Sequence, residues 1–486
     1  MLLKSFYMLA YEDPEVSIPL FGEENAGRGP HISIVIGPNG SSKSRVLSRV
    51  VDELHYLSFL RDPSTSSQKR LNPPAEFART SYQLDGARCK VTRRGKEVEC
   101  TVDDRPKHLN EIPFPTRVVA VSHLPTDKFR FGRGESSDFY RYLGLRQATN
   151  LTTTGALEAK VIQTLFNALL LPDFEARMSQ WLALAGMDKD IGVAISVPDL
   201  KLLTGEHQVF VDAAADAAKR RYGRQRASSV LLNQDWFEDL DRMWRLFEEL
   251  HKFKWQHRGR GAEATIQIMP GLLEVDNLDV WIHGFEAARK WRIFTYLSLV
   301  LVKNGQAIEF SDLSSGEQQL IGTSIRLLAG LEPHTLVIID EPEVSLHPEW
   351  QIKYVPTLMK TLEGEPSTHV VIATHSHFMV SDIKEQGSAL ITASGGRKPE
   401  FSIFDGEVYG RSPENILYRV FGVATAGNLN VERDLSVALR MMSGSLPMRR
   451  GELIKIYDRL RRVRGEDNVA LNMIMNQIGS AIEVGE

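Results

Sequence analysis

Apolar positions along this chain fall into two textures. HISIVI sets Ile32, Ile34 and Ile36 around Val35, a β-branched stretch that predicts a buried strand. RVLSRVVDELHYL follows, with Val46/Leu47, Val50/Val51, Leu54 and Leu57 at helical spacing. The first texture returns in VVAVS (118–122), LVIID (336–340) and VVIAT (370–374), and FSIFDGEVYG adds a further strand to the same sheet. The second returns where Leu320, Ile321, Ile325 and Leu328 share one face, and again at Leu157, Val161, Leu165 and Leu169. Residues from about 200 to 262 read as helix-rich and charged, without sustained heptads. After about residue 405 the chain reads as a helical tail, and RDPSTSSQKRLNPP (61–74) as an exposed loop. No internal repeat is visible. The expected class is α/β.

Chemistry collects at the ends of these strands. GPNGSSKS, residues 37–44, joins the first strand to the first helix. Gly37 and Gly40 let the backbone curl around Pro38, so that N–H groups from Asn39 through Arg45 and the helix N-terminus face a phosphate. Lys43 would reach the β- and γ-phosphates of a nucleotide, and the Ser44 hydroxyl would hold Mg²⁺. Ser42 stands where the pattern G-x-x-x-x-G-K-[ST] has its second glycine; Ser41 and Asn39 fill the turn. A plain Gly/Ser turn is the alternative reading.

LVIID ends in Asp340, a carboxylate placed to join a Mg²⁺ shell, and Glu341 follows it, placed to polarise an attacking water. LSSGEQQ, with Ser314, Ser315, Gly316 and Glu317, is a turn opening a helix and makes a second anion site. VVIAT is followed by His375, whose imidazole suits a γ-phosphate, although a lone histidine is commonly structural. Taken singly these pieces are weak; their order, each at a strand or helix end, is the stronger signal.

Bulk properties add limits. The 486 residues suffice for two or more lobes, and a net charge of −4 from 58 basic and 62 acidic residues gives no overall pull toward nucleic acid. Cys89 and Cys100, the two cysteines, make no metal-ligand spacing and point to a reducing, cytoplasmic setting. No apolar run approaches ~18 residues and the N-terminus soon turns acidic, so neither membrane span nor signal peptide is expected. KRRYGRQR (219–226), HKFKWQHRGR (251–260) and MRRGELIKIYDRLRRVR (448–464) are basic. Each is either a solvated face or a surface for phosphate backbone or an acidic partner. Trp255 either stacks on a base or packs inside its lobe.

With these motifs in place, the chain resembles the ABC-type ATPases, a class that includes transporters, chromosome-structural (SMC) proteins and the OLD family. The resemblance implies a P-loop ATPase head with an inserted helical lobe and a helical C-terminal tail. GPNGSSKS corresponds to the Walker A, LVIIDE to the Walker B, LSSGE to the signature and His375 to the switch histidine. It implies ATP and Mg²⁺ as cofactors, with Glu341 as catalytic base. In such enzymes two heads sandwich ATP, so a homodimer or higher even-numbered oligomer is expected, with Ser314 and Gly316 touching the γ-phosphate in trans. SLHP (345–348) would be the D-loop. Glu317 in place of glutamine and His347 in place of aspartate depart from the transporter pattern, as does the separation of 269 positions between Ser44 and Leu313.

The same resemblance divides the chain into residues 1–150 (first part of the head), 151–280 (helical insert), 281–405 (second part) and 406–486 (tail, for partner or nucleic-acid contact). Gln147, after FYRYLGLR, is either a Q-loop ligand for Mg²⁺ and water or an ordinary loop glutamine. DEPEVSLHP, FYRYLGLR and the short tail are most similar to PtuA-type ATPase subunits of Septu anti-phage systems and their retron-associated relatives. That implies a separate HNH-type nuclease partner, since residues 405–486 carry no D-x-D for a metal-dependent nuclease of their own. Two other functions stay open: an SMC-like DNA-repair head clamping DNA, and a non-hydrolysing nucleotide-gated scaffold.

Overall fold

Strands buried at nearly every position and strands buried at alternate positions build different sheets in a computed structural model of this protein. The structure describes all residues except 10–14, 23–28, 64–71, 125, 131–138, 145–153, 223–233, 270–277, 366, 381–382, 384–385, 396–398, 405–428, 443–445, 462–468 and 484–486. The exposed loop expected at 61–74 therefore lies largely outside the described residues.

The chain opens with β1 (Leu2–Leu9), β2 (Val16–Pro19), β3 (His31–Ile36) and α1 (Lys43–Arg61). There follow β4 (Phe77–Leu84), β5 (Ala87–Arg94), β6 (Glu97–Val102), β7 (Arg105–Lys107), β8 (Arg117–Ser122) and β9 (Tyr140–Tyr142). Next come α2 (Thr154–Ala168), α3 (Phe174–Leu184), β10 (Ile191–Val197), α4 (His207–Tyr222) and α5 (Gln234–Leu250). Then β11 (Gln256–Arg258), β12 (Gly261–Met269), α6 (Leu278–Lys290), β13 (Tyr296–Lys303), β14 (Gln306–Glu309) and α7 (Ser315–Leu328). β15 (Thr335–Asp340), α8 (Pro348–Thr361), β16 (His369–Thr374), β17 (Ser388–Ala393) and β18 (Phe401–Ile403) precede α9 (Leu429–Met442), α10 (Arg450–Arg461) and α11 (Val469–Glu483).

β8, β15 and β16 are buried at every position and β3 at all but its first. Such strands need cover on both faces, the condition for parallel pairing. They occupy the middle of a seven-stranded sheet ordered β18-β17-β3-β16-β15-β8-β9, parallel except at the β17–β18 edge. Val46, Leu47 and Val50 of α1 join the core beneath it with Val35, Ala120, Ile338 and Val371.

The alternating strands form a six-stranded sheet, β2-β1-β4-β5-β6-β7, antiparallel throughout. Its turns have the backbone that two-residue hairpins require: Asp85 and Gly86 both have positive φ, as do Asp103 and Asp104. Arg93 of β5, fully buried, makes two 2.7 Å bonds to Glu53 of α1 and ties this sheet to the helix that follows the glycine-rich turn.

The stretch 151–280, expected to be a helical insert, needs a correction. Besides α2 to α6 it contains β10, β11 and β12, which combine with β13 and β14 in a third sheet ordered β11-β12-β10-β13-β14. GAEATIQIM alternates buried and less buried positions along β12, a two-residue period that sheet pairing rewards and a helix does not. Asp239, Leu240 and Asp241 lie inside α5, where Asp239 accepts bonds from Lys290 (2.7 Å) and Trp291 (2.9 Å).

The chain divides into two compact units, Met1–Tyr409 and Gly410–Glu486. In the second, α9, α10 and α11 share a core of Leu435, Ala438, Leu453, Ile456, Leu460, Met475 and Ile478. Among the described residues no helix is long and apolar enough to cross a membrane.

Candidate functional site

β3 stops at Ile36 and α1 starts at Lys43, so the turn between them is GPNGSS. Gly37 is required by contact: a Cβ there would sit 2.3 Å from the Ala393 carbonyl oxygen. Gly40 is required by conformation, at φ +80°. Ser42 also lies in the left-handed region, at φ 65° and ψ 17°, which is why the motif has glycine at that place. Its carbonyl still accepts the Val46 N–H at 2.9 Å and so starts α1. Pro38, Asn39, Gly40 and Arg45 are exposed, while Ser41 and Lys43 are buried.

The Lys43 ammonium is turned back onto its own loop. Nζ donates to Gly37 O at 2.9 Å and to Pro38 O and Ser41 Oγ at 3.3 Å. Burial lowers its pKa to about 8, against the pull of Glu341, Asp340 and Glu343. Ser44 Oγ donates to Asp340 Oδ1 at 2.8 Å, joining the loop to the end of β15. Asp340 Oδ2 is buried with no partner among the described residues. Burial raises the Asp340 carboxyl to about 7; the Ser44 bond opposes this, and neighbouring Glu341, Asp127 and Glu343 reinforce it.

Glu341 leaves β15 at φ 49°, with its N–H on Ala373 O at 2.8 Å. That left-handed step turns its side chain away from the strand course and toward His375, whose Nε2 lies 3.2 Å from Oε1. The bond to His375 holds the Glu341 carboxyl below its ordinary value, against the effect of burial. The same Nε2 is 2.9 Å from Lys43 Nζ. One nitrogen serves these two partners only alternately: unprotonated it accepts from Lys43, protonated it donates to Glu341.

Glu343 also belongs to the site. Its Oε1 accepts the His375 backbone N–H at 2.6 Å, its Oε2 is buried without a partner among the described residues, and burial raises its pKa. It fixes the start of the segment after β16. Only the DEPE spacing carried a hint, since Glu343 sits two residues beyond Glu341 in the same turn.

Ser314, Ser315, Gly316 and Glu317 form the N-terminus of α7. Ser314 caps it reciprocally with Glu317: Oε2 accepts from Ser314 N (2.8 Å) and Oγ (2.7 Å), and Ser314 Oγ accepts the Glu317 N–H at 3.3 Å. Lys303 donates to the other carboxylate oxygen at 2.8 Å. Burial pushes the Glu317 pKa up, but the Lys303 and Ser314 bonds outweigh it and the net shift is down. The glutamate that departs from the transporter pattern is thus a cap held by a lysine. Gly316 abuts the 345 turn, where a Cβ would meet Ser345 O at 2.4 Å. Among the described residues no hydrogen bond joins 314–317 to the loop 37–44. Gln147 lies outside the described residues.

No three His, Cys, Asp or Glu side chains converge as a metal cage among the described residues. Mg²⁺ does not need one, because it is commonly held by one or two carboxylates together with substrate phosphates and water. The unpartnered Oδ2 of Asp340 beside the Ser44 hydroxyl fits that mode.

A family model described as "AAA domain, putative AbiEii toxin, Type IV TA system" matches residues 32–381. The chain is similar to the "Retron Vc95 probable ATPase" of Vibrio cholerae serotype O1 biovar El Tor, 30% identical over 107 residues, 20% of each chain. It is also similar to the "Retron Ec83 probable ATPase" of Escherichia coli, 31% identical over 106 residues, 20% of this chain and 19% of that one. The match thus spans about a fifth of the length of these curated relatives. Among solved structures it is similar to the "SMC head domain from Thermotoga maritima", with 13% identity, 84% of this chain and 100% of that chain covered, and a TM-score of 0.32. An SMC head bound to the C-terminal winged-helix domain of ScpA matches with 12% identity, 84% and 98% coverage, and a TM-score of 0.34.

The left-handed Ser42 yields a stability test. Ser42→Gly should leave the melting temperature and nucleotide binding close to native, because relief of strain and added chain entropy nearly offset. Ser42→Val places a β-branched residue at φ 65° and should destabilise the loop by about 1–2 kcal/mol. Equal melting curves for the two variants would show that this conformation carries no strain.

Proposed function

The chain belongs to the AAA-domain family whose model covers residues 32–381, and from that premise we propose that it binds ATP with Mg²⁺ and hydrolyses it to ADP and phosphate. The observation that carries this reading is the 2.8 Å bond from Ser44 to Asp340, with the free Asp340 oxygen beside it. Phosphates would lie on the N–H groups of residues 39–45 at the start of α1. Lys43 would exchange the carbonyls of Gly37 and Pro38 for β- and γ-phosphate oxygens, which moves it off His375. Ser44 and Asp340 would hold Mg²⁺, which neutralises charge on the phosphates.

Glu341 would accept a proton from the attacking water as its oxygen bonds the γ-phosphorus and the bond to the β–γ bridging oxygen breaks. His375, released by Lys43 and kept in place through Glu343, would then donate to the γ-phosphate. Ser314, Ser315 and Gly316 would complete the site from a second copy of the chain, which makes a homodimer the smallest active unit.

The finer reading is a defence role. Similarity to two retron ATPases supports an ATPase subunit that controls a separate, HNH-type nuclease in a Septu- or retron-like complex. Nucleotide-dependent closure of the heads would set the state of that partner.

Steady-state phosphate release tests the chemistry. Glu341→Gln should bind ATP and slow turnover by at least ~10², whereas Lys43→Ala should lose binding. Native turnover by Glu341→Gln would remove it as the base. Plasmid incubated with Mg²⁺ and this chain alone should stay intact; cleavage that survives Lys43→Ala would contradict a separate nuclease.

A further inference from the structure

The sheet β11-β12-β10-β13-β14 touches the site above through Lys303, at the end of β13, and two adjoining grooves away from that residue are together basic. They measure about 980 and 910 Å³ and share Pro198, Thr295 and Tyr296 as a common wall. Lys254, Arg258 and Arg260 line the first; Arg220, Arg289 and Arg292 line the second, together with Lys290. Only Glu263 and Glu309 stand among the lining residues as acids. This surplus occurs on a chain whose net charge is −4.

Some of these cations are already engaged. Arg258 pairs with Glu263 at 3.0 Å, Lys290 with Asp239 at 2.7 Å, and Arg220 approaches Asp199 at 3.8 Å. Lys254, Arg260 and Arg292 are exposed and make no ion pair among the described residues. Unpaired like charges lining two adjoining grooves favour a polyanion that neutralises several of them together.

An aromatic ring stands at the junction. Tyr296 of the shared wall is 40% exposed, and its hydroxyl donates to Glu309. Trp255, the aromatic that the sequence offers for stacking, is instead half-buried, with Nε1 donating to Leu250 O at 2.9 Å. Ala194, Ser196 and Thr265 lie on the face of the sheet that carries Glu263, and their small side chains leave room above it.

From the unpaired cations and the exposed ring we infer that these grooves bind single-stranded nucleic acid. Phosphates lie along Lys254, Arg260 and Arg292, and a base stacks on Tyr296. A duplex hides its base faces from such a ring, and an acidic polypeptide lacks bases to place on it. This assignment is independent of ATP hydrolysis.

Fluorescence anisotropy of a labelled oligothymidylate with the full chain provides the test. Binding should weaken as salt rises. Arg260→Ala/Arg292→Ala should weaken it at least about tenfold, and Tyr296→Ala by about tenfold, with Tyr296→Phe near native. Melting temperatures and ATP turnover should stay unchanged in all three. Equal affinity for a duplex of the same length or for polyglutamate would overturn the inference. So would native-like binding of oligothymidylate by Arg260→Ala/Arg292→Ala or by Tyr296→Ala.

Discussion

Everything at the nucleotide site depends on parallel pairing between strands from the two ends of the first unit. β3 runs beside β16 with Ile36 opposite Thr374, and β15 runs beside β16 with Asp340 opposite Ala373. All three therefore end along one edge, and the residues that follow them meet there: Gly37 to Ser44, Glu341 to Glu343, and His375. Ligands in open α/β sheets bind at this carboxyl edge. A one-residue slip in either pairing would send every side chain of the slipped strand to the opposite face and separate Ser44 from Asp340.

That edge is arranged to hold itself together before any phosphate arrives. Lys43 is occupied by carbonyls of its own loop and by His375, and His375 is also within reach of Glu341. The polar groups left over are the ones a Mg-nucleotide would satisfy, above all Asp340 Oδ2. Buried polar atoms without partners cost about 1–3 kcal/mol each, so a ligand that supplies the missing partners gains that amount. Phosphate binding would also free the histidine from the lysine, which couples occupancy of the loop to the groups that act on water.

Much of this was legible in the sequence, for a physical reason. Strands buried on both faces must be apolar throughout, so HISIVI, VVAVS, LVIID and VVIAT stand out, and the polar residue at each end is conspicuous. Ser42 was legible as a departure, but its left-handed backbone was not, because spacing says nothing about φ. The sheet containing β10 to β14 was hidden by its setting: GAEATIQIM is a modest alternation between helices of high charge, and its partners β10 and β13 lie far away in the chain. Glu343 escaped because its role is a single contact with the His375 amide, made across two adjacent strands. Tyr296 escaped for a similar cause, since exposure is a property of the folded sheet.

The central claim is that the catalytic site is composite, with the glycine-rich loop of one copy closed by the N-terminus of α7 from another. Mixing a Lys43→Ala chain with a Ser314→Arg chain measures this most directly. Each variant alone should release no phosphate, while a mixed dimer keeps one site with an intact loop and an intact cap, so the mixture should regain turnover. A mixture as inactive as its components, alongside full activity in a native chain shown to be monomeric, would contradict the account.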